Sequence, residues 1–82
     1  MYYIYILLCQ DHSLYTGSTN DVEKRFKDHL EGRGAKYTKG HKPIKVIYQE
    51  KFATKSEALK REAEIKKMTK KMKEILVRKQ TK

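Results

Sequence analysis

The sequence of 82 residues has little cysteine, little proline and few acidic side chains. Its single cysteine, Cys9, excludes an internal disulfide framework and favours a reducing compartment. Only 38% of the residues are hydrophobic, so one compact core must use nearly all of them. The apolar run at residues 2–9 is too short to span a bilayer and lacks the basic flank and cleavage site of a signal peptide. We therefore expect one soluble cytoplasmic domain over residues 1–82, with no membrane contact.

The charge of the chain is strongly basic and unevenly distributed. Twenty Lys and Arg residues stand against ten Asp and Glu residues, for a formal net charge of +10. Residues 1–41 contain six basic and five acidic side chains, whereas residues 42–82 contain fourteen and five. Because such a surface attracts polyanions, nucleic acid is the favoured partner, and a lysine-rich solubilising face is the alternative.

The residue pattern predicts a small α+β domain with the element order β-β-α-β-α-α. The predicted strands cover residues 2–9, 14–18 and 44–52, and the first two form a hairpin around a polar turn. The segment 32–43 holds three glycines and the only proline, so we predict a loop there rather than a regular element. The expected architecture is an antiparallel sheet covered by helices.

Three helices are predicted from their capping residues and their apolar spacing. The first begins at an Asn20 cap and runs to about Glu31, and the second follows a capping box at Thr54 and Glu57. A third, at residues 70–79, carries Met72, Ile75 and Leu76 on one side and lysines on the other, which is typical of a basic terminal helix that docks on a core.

Glu62 stands out because it lies on the apolar side of the second predicted helix. At about 100° per residue, Ala58, Leu59 and Ile65 fall within about 60° of it. A carboxylate in that position requires a cation, hydrogen-bond donors or a metal ion. A buried ion pair with one of the many basic residues explains it equally well, so both interpretations stay open.

The first predicted helix places two functional side chains beside its apolar stripe. That stripe consists of Val22, Phe26 and Leu30, spaced by four residues. Arg25 and His29 are also four apart and lie at its margin, so both can reach across the sheet surface. A solvated arginine and a boundary histidine would explain each residue separately.

The strand tyrosines raise the same choice between structure and chemistry. Tyr3 and Tyr5 alternate with isoleucines and therefore share one face of the first strand, and Tyr15 on the neighbouring strand can lie close to Tyr5. Buried tyrosines are ordinary core residues. Phosphoryl chemistry, however, needs a base for water, a cation for phosphate and an anchor for a metal ion. It would be served by two hydroxyls, a guanidinium, an imidazole and a carboxylate on one sheet face.

These residues resemble the signature of the GIY-YIG nuclease superfamily. The resemblance starts at "YIY" (3–5), continues through "YTG" (15–17) and "GSTNDVEKRFKDH", and reaches the glutamate of "EALKREAEIKK". It covers roughly residues 2–67 and looks closest to the small stand-alone bacterial members. It implies a three-stranded antiparallel sheet flanked by helices and hydrolysis of phosphodiester bonds in nucleic acid, with DNA favoured over RNA. A nucleic-acid-binding module that keeps this fold with little or no turnover is the alternative.

The resemblance also implies a role for each motif residue. Tyr5 and Tyr15 would help to activate the attacking water, and Arg25 would contact the scissile phosphate. His29 would assist the proton network. Glu62 would be the single protein ligand of a divalent cation, Mg²⁺ or Mn²⁺.

The sequence departs from the superfamily pattern at a few positions. Tyr3 replaces the glycine of the first motif, Thr16 replaces the middle residue of the second, and Ser18 stands where some repair enzymes carry a lysine. The larger relatives choose their targets with attached domains. We therefore expect a specificity here that is weak, based on shape or supplied by a protein partner.

The predicted loop is interpreted as a nucleic-acid-binding surface. Its basic side chains would contact phosphates, and its tyrosine would offer a ring for stacking. A flexible, solvated loop is the alternative. The residues concerned are Arg33, Lys36, Tyr37, Lys39 and Lys42.

Overall fold

The computed structural model describes residues 1–80, which form a three-stranded antiparallel sheet with helices on both faces. Strand β1 (Tyr2–Cys9) is central and lies between β2 (Leu14–Thr19) and β3 (Pro43–Phe52). The β-branched and aromatic residues of β1 suit this doubly paired, buried position. The predicted α+β fold with a three-stranded antiparallel sheet is confirmed.

Four helices are present in this part of the chain: α1 (Val22–Leu30), α2 (Lys36–Gly40), α3 (Lys55–Lys66) and α4 (Lys70–Gln80). The prediction that residues 32–43 contain no regular element is wrong, because α2 forms one short turn within them. Gly32 and Gly34 precede this turn and Gly40 ends it, so no glycine interrupts it. Within residues 1–80, no helix has the length and apolar character needed to cross a membrane.

The strand register assigns the side chains of β1 to two different layers. Tyr5 pairs with Gly17, and Ile4 pairs with Ser18. Paired residues share a face of the sheet and successive residues alternate between faces. Ile4 and Ser18 therefore face the α3 side, where Ile4 packs in one cluster with Ala58. Tyr5 and Gly17 face the side that carries α1 and α2.

The main core lies between the sheet and the helices α3 and α4. It consists of fully or nearly fully buried side chains from β1, β3 and α3, with residues of α4 packed against them. Its centre is formed by Ile4, Ile6, Tyr48, Ala58 and Ile65. The opposite side of the sheet is thinner and more polar, and the candidate site lies there.

Helix α1 begins one residue later than predicted. Asp21, rather than Asn20, is the N-cap, and its carboxylate accepts a hydrogen bond from the Lys24 amide at 3.1 Å. A carboxylate at this position also interacts favourably with the positive end of the helix dipole. The predicted helix start at Thr54 is confirmed, since the Thr54 hydroxyl accepts from the Glu57 amide at 3.2 Å. The Glu57 carboxylate accepts from the Thr54 hydroxyl at 3.1 Å, in place of the Thr54 amide that a full capping box would use.

The buried side of α1 also differs from the predicted stripe. Leu30 is 54% exposed, whereas His29 is 1% exposed. The helix is therefore rotated so that His29, not Leu30, points into the protein. Burial of a histidine is tolerated because both of its ring nitrogens have hydrogen-bond partners.

The buried sides of α3 and α4 match the predicted apolar sides only in part. In α3, Ala58 and Ile65 are buried as predicted. Leu59, expected on the apolar side of α3, is exposed. In α4, Met72 and Ile75 are exposed, while Leu76 and Val77 pack against the core. A stripe that is read from spacing alone fixes the helix rotation only loosely, and the contacts of α3 with all three strands and of α4 with β3 decide it here.

Candidate active site

A hydrogen bond between a strand and a helix forms the centre of the candidate site. The Tyr5 Oη and His29 Nε2 atoms are 2.8 Å apart, and both residues are 1% exposed. Tyr5 comes from the central strand β1 and His29 from the last turn of α1. Their rings meet edge to face, with centroids 5.9 Å apart.

Tyr15 completes a cluster of three rings. Its ring centroid lies 6.4 Å from that of Tyr5 and 5.2 Å from that of His29. Gly17 gives the Tyr5 ring its space, because a Cβ at that position would stand 2.5 Å from Tyr5 Oη. The predicted proximity of the two motif tyrosines is thus present in the structure.

Arg25 lies one helical turn before His29 and supplies a positive charge to the same cluster. Its guanidinium is close enough to lower the pKa of Tyr5 and that of His29. The side chain is 35% exposed, and its ion pair with Asp28 is long, at 3.9 Å. A cation in this state can still approach a phosphate from solvent.

Burial controls the protonation of the two hydrogen-bonded groups. It raises the pKa of Tyr5 well above its usual range, with a further contribution from Tyr15, and the opposing effect of Arg25 is smaller. Burial, followed by the Arg25 charge, lowers the pKa of His29 to about 4. At neutral pH the imidazole is therefore uncharged, with one nitrogen that donates and one that accepts.

Two residues that the sequence analysis missed hold the other side of the imidazole. Thr38 Oγ1 lies 2.7 Å from His29 Nδ1, and Thr38 is 3% exposed. Gly34 packs directly on the ring, because a Cβ there would lie 2.1 Å from Nδ1. The glycines of this segment are the signal in the sequence, but by themselves they indicate a loop and not a contact with His29.

Glu62 reaches the site from the other layer of the protein. Its Oε1 accepts a hydrogen bond from Ser18 Oγ at 2.8 Å, and its Oε2 lies 2.9 Å from Lys66 Nζ. Ser18 faces the α3 side, so Glu62 approaches at the edge strand β2 and not on the Tyr5 face. Its charge nevertheless contributes to raising the pKa of Tyr5 and of Tyr15.

The structure therefore brings the five motif residues together in two groups. Tyr5, Tyr15, Arg25 and His29 share one face of the sheet, as expected. The expectation that Glu62 lies on that same face is wrong, because α3 packs against the opposite face. The ion-pair interpretation of Glu62 has a specific partner in Lys66.

The ring of Tyr37 is already stacked within the protein. It lies parallel to His41, with centroids 4.1 Å apart, and beside Tyr15, with centroids 5.7 Å apart. His41 is in turn bonded to Asp11. The prediction of a ring that is free for base stacking is therefore wrong, because Tyr37 links α2 to the tyrosine cluster.

The basic side chains of the segment differ in their surroundings. Arg33 forms ion pairs with Asp28 and Glu31, so much of its charge is neutralised locally. Lys36, like the two lysines that follow it, is exposed. Lys39 and Lys42 line an open cleft of about 550 Å³ that reaches His29 and Thr38.

The fold and this cluster define a small α+β domain in which phenol, imidazole and guanidinium groups meet across a sheet. The chain belongs to the GIY-YIG catalytic domain family, whose model matches residues 1–75. It is 62% identical over 65 residues to a UPF0213 protein of Staphylococcus saprophyticus, which covers 79% of each chain. It is also 54% identical over 77 residues to a UPF0213 protein of Clostridium perfringens, covering 94% of this chain and 83% of that one.

Two solved structures have the same fold. A solution NMR structure of an Enterococcus faecalis protein is 48% identical and matches with a TM-score of 0.64 over 95% of this chain and 83% of its own. A solution NMR structure of a Bacillus halodurans UPF0213 protein is 46% identical and matches with a TM-score of 0.59 over 94% and 83%. These likenesses place the chain among small bacterial GIY-YIG proteins.

Proposed function

We propose that the protein is a divalent-metal-dependent endonuclease that hydrolyses phosphodiester bonds in nucleic acid, with DNA as the favoured substrate. The observation that carries this proposal is the hydrogen bond of 2.8 Å between Tyr5 Oη and His29 Nε2, beside Tyr15 and Arg25. A phenol bonded to a neutral imidazole is a two-member proton relay, and Arg25 supplies the cation that a phosphate requires.

In the proposed reaction, the oxygen of a water molecule forms a bond to phosphorus while the bond from phosphorus to the leaving sugar oxygen breaks. The water loses one proton to a tyrosine oxygen, either Tyr5 or Tyr15. Where Tyr5 takes the water proton, it passes its own proton to the free lone pair of the neutral His29, and His29, whose lowered pKa disfavours the imidazolium, releases that proton to solvent. Arg25 balances the negative charge on the phosphate oxygens, and the leaving oxygen takes its proton from solvent.

Glu62 is the residue that would hold the metal ion. Within residues 1–80 there is no cluster of three or more His, Cys, Asp and Glu side chains suited to enclosing one. A single carboxylate fits Mg²⁺ or Mn²⁺ because such ions keep several waters and take further ligands from substrate phosphates. When bound, the ion would neutralise developing charge on the phosphate. Ser18 orients the carboxylate, and Lys66 occupies its second oxygen.

A nucleic-acid-binding module without turnover is the second candidate. The ion pair between Glu62 and Lys66 favours it, because that pair gives the carboxylate a structural role that needs no metal. Both candidates include a basic surface for phosphates, a single domain in the cytoplasm and a specificity that is weak or supplied by a protein partner.

A cleavage panel tests the proposal. Branched, double-stranded and single-stranded DNA and RNA are incubated with the protein and Mg²⁺ or Mn²⁺, and single-turnover rates are measured. We expect cleavage that Tyr5→Phe abolishes and Tyr3→Phe preserves, since Tyr3 lies two residues away on the same strand and outside the ring cluster. Binding without cleavage of any substrate would support the binding module instead.

A further inference from the structure

Two hydroxyls and one backbone amide lie around the His29 ring, and their protons can be assigned by counting donors and acceptors. The Thr38 hydroxyl donates to the Ala35 carbonyl at 2.9 Å. A hydroxyl has only one proton, so the Thr38 oxygen is left as an acceptor towards His29 Nδ1, 2.7 Å away. His29 Nδ1 then carries the hydrogen of the neutral ring.

The opposite side of the ring gives the same assignment. With Nδ1 protonated, Nε2 has a lone pair and accepts the Tyr5 hydroxyl proton at 2.8 Å. In the other tautomer Nε2–H would point at Tyr5 Oη, which the Arg25 guanidinium also approaches as a donor. Within residues 1–80, the Tyr5 proton would then have no acceptor at a position that is 1% exposed.

One contact favours the other tautomer, and it is the weakest of the set. The Ala35 amide points towards His29 Nδ1 at 3.4 Å, which is long for a hydrogen bond. Ala35 is partly exposed, so its amide can bind water instead. The Thr38 hydroxyl, whose own proton is used at the Ala35 carbonyl, therefore decides the state of Nδ1.

We infer that Thr38 is a positioning residue, which fixes His29 as the Nδ1–H tautomer and so turns the lone pair of Nε2 towards Tyr5. Gly34 completes this clamp, because only a residue without a side chain lets the backbone lie against the ring. The short helix α2 therefore positions Thr38, because its turn brings this residue back to the end of α1. The catalytic consequence rests on the function proposed above, whereas the tautomer does not.

Long-range ¹H–¹⁵N NMR on the full chain tests the tautomer without any substrate. We expect the protonated type of nitrogen shift at His29 Nδ1 and the unprotonated type at Nε2 at neutral pH. A wild-type spectrum with Nε2 protonated would overturn the inference directly.

Variants test the role of the Thr38 hydroxyl. Thr38→Val keeps the shape but leaves Nδ1–H without an acceptor, so we expect the Nε2–H tautomer and a fall of about 10²-fold in the single-turnover rate at saturating substrate. Thr38→Ser should restore both. Thr16→Val is the matched control, since within residues 1–80 the buried Thr16 hydroxyl has no hydrogen-bond partner and faces the α3 side.

The outcomes separate this inference from the proposed function. If Thr38→Val keeps the Nδ1–H spectrum, or changes the rate no more than Thr16→Val does, Thr38 does not position His29. If Thr38→Val does not fold, the wild-type spectrum and the Thr38→Ser spectrum still decide the tautomer. Absence of cleavage by the wild type, with the expected spectra, would refute the nuclease and leave the clamp in place.

Discussion

Gly17 lies directly across the β1–β2 pairing from Tyr5, and a Cβ at Gly17 would stand 2.5 Å from Tyr5 Oη and 2.7 Å from Cζ. No real contact of this kind is so short, so the tyrosine ring can occupy its place only because residue 17 has no side chain. The motif YTG (15–17) therefore contributes the space at Gly17 as well as the Tyr15 side chain.

The first prediction concerns this contact. Gly17→Ala should push the Tyr5 ring away from His29 and reduce cleavage strongly, with some loss of thermal stability because the displaced ring is buried. Single-turnover rates and thermal unfolding measure the two effects. Gly40→Ala is the control, since a Cβ at Gly40 meets nothing within 4 Å. Equal rates for the two variants would show that the Tyr5 position does not matter for activity.

The second prediction separates the two motif tyrosines. Tyr5→Phe should abolish cleavage, because Tyr5, in contrast to Tyr15, is hydrogen-bonded to His29. Tyr15→Phe should reduce the rate less, by about 10²-fold, since its ring borders the relay without such a bond. Both variants should stay folded, as each loses one oxygen. An active Tyr5→Phe beside an inactive Tyr15→Phe would reverse the assignment, and equal losses would indicate one shared network.

The motif residues illustrate how far the sequence alone could lead. Tyr5 and Tyr15 could be placed on one face because strand alternation and a short hairpin fix their positions within a few ångströms. Thr38 could not be connected with His29, because their contact depends on how the segment after α1 folds back. One of the glycines that signalled a loop, Gly34, is the residue that permits this close return.

The rotation of each helix about its axis was the second feature that the sequence predicted only in part. Spacing placed Leu30 and Leu59 on buried sides, yet both are exposed, and it left His29 at the margin, yet His29 is buried. For Glu62 spacing was correct, since its side chain is 14% exposed. In each case hydrogen bonds from other elements make burial of the polar residue tolerable. Such partners come from tertiary structure, which hydrophobic spacing does not encode.

The third prediction concerns pH and stability. The folded-state pKa of His29 is about 4, against an ordinary value of 6.5. Between these values the unfolded chain binds a proton that the folded protein does not, so stability should fall as the pH drops from 6.5 to about 4. Above 6.5 this contribution is fully present.

Thermal unfolding across that pH range measures the effect. His29→Gln should flatten the dependence in this window, because it removes the titrating group. His12→Asn is the control: it removes an exposed histidine from a backbone position with a positive φ of 68°, which asparagine tolerates. A wild-type profile that matches the His29→Gln profile would contradict the lowered pKa.

The fourth prediction concerns the metal ligand. Glu62→Gln should remove the calorimetric signal of Mg²⁺ or Mn²⁺ and abolish cleavage while nucleic-acid binding survives. Lys66→Met should instead strengthen metal binding, because the ammonium group now occupies Oε2 of the same carboxylate. Lys67→Met is the matched control, as it removes an equal charge from the next, exposed residue. If Glu62→Gln lowers only the thermal stability and leaves metal binding unchanged, the ion-pair role is correct.

The last prediction assigns phosphate contacts to individual side chains. Lys39 and Lys42 line the cleft that leads to His29, whereas Arg33 is already paired with Asp28 and Glu31. Each phosphate contact contributes about one unit to the slope of log affinity against log salt. The double variant Lys39→Gln with Lys42→Gln should therefore lower that slope by up to about two units.

The control is Arg33→Gln, which should change the slope less, although it removes a charge from the same segment. Titrations of labelled DNA and RNA at several salt concentrations measure the slopes, and a larger loss in Arg33→Gln than in the double variant would place the nucleic acid at Arg33 and not in the cleft.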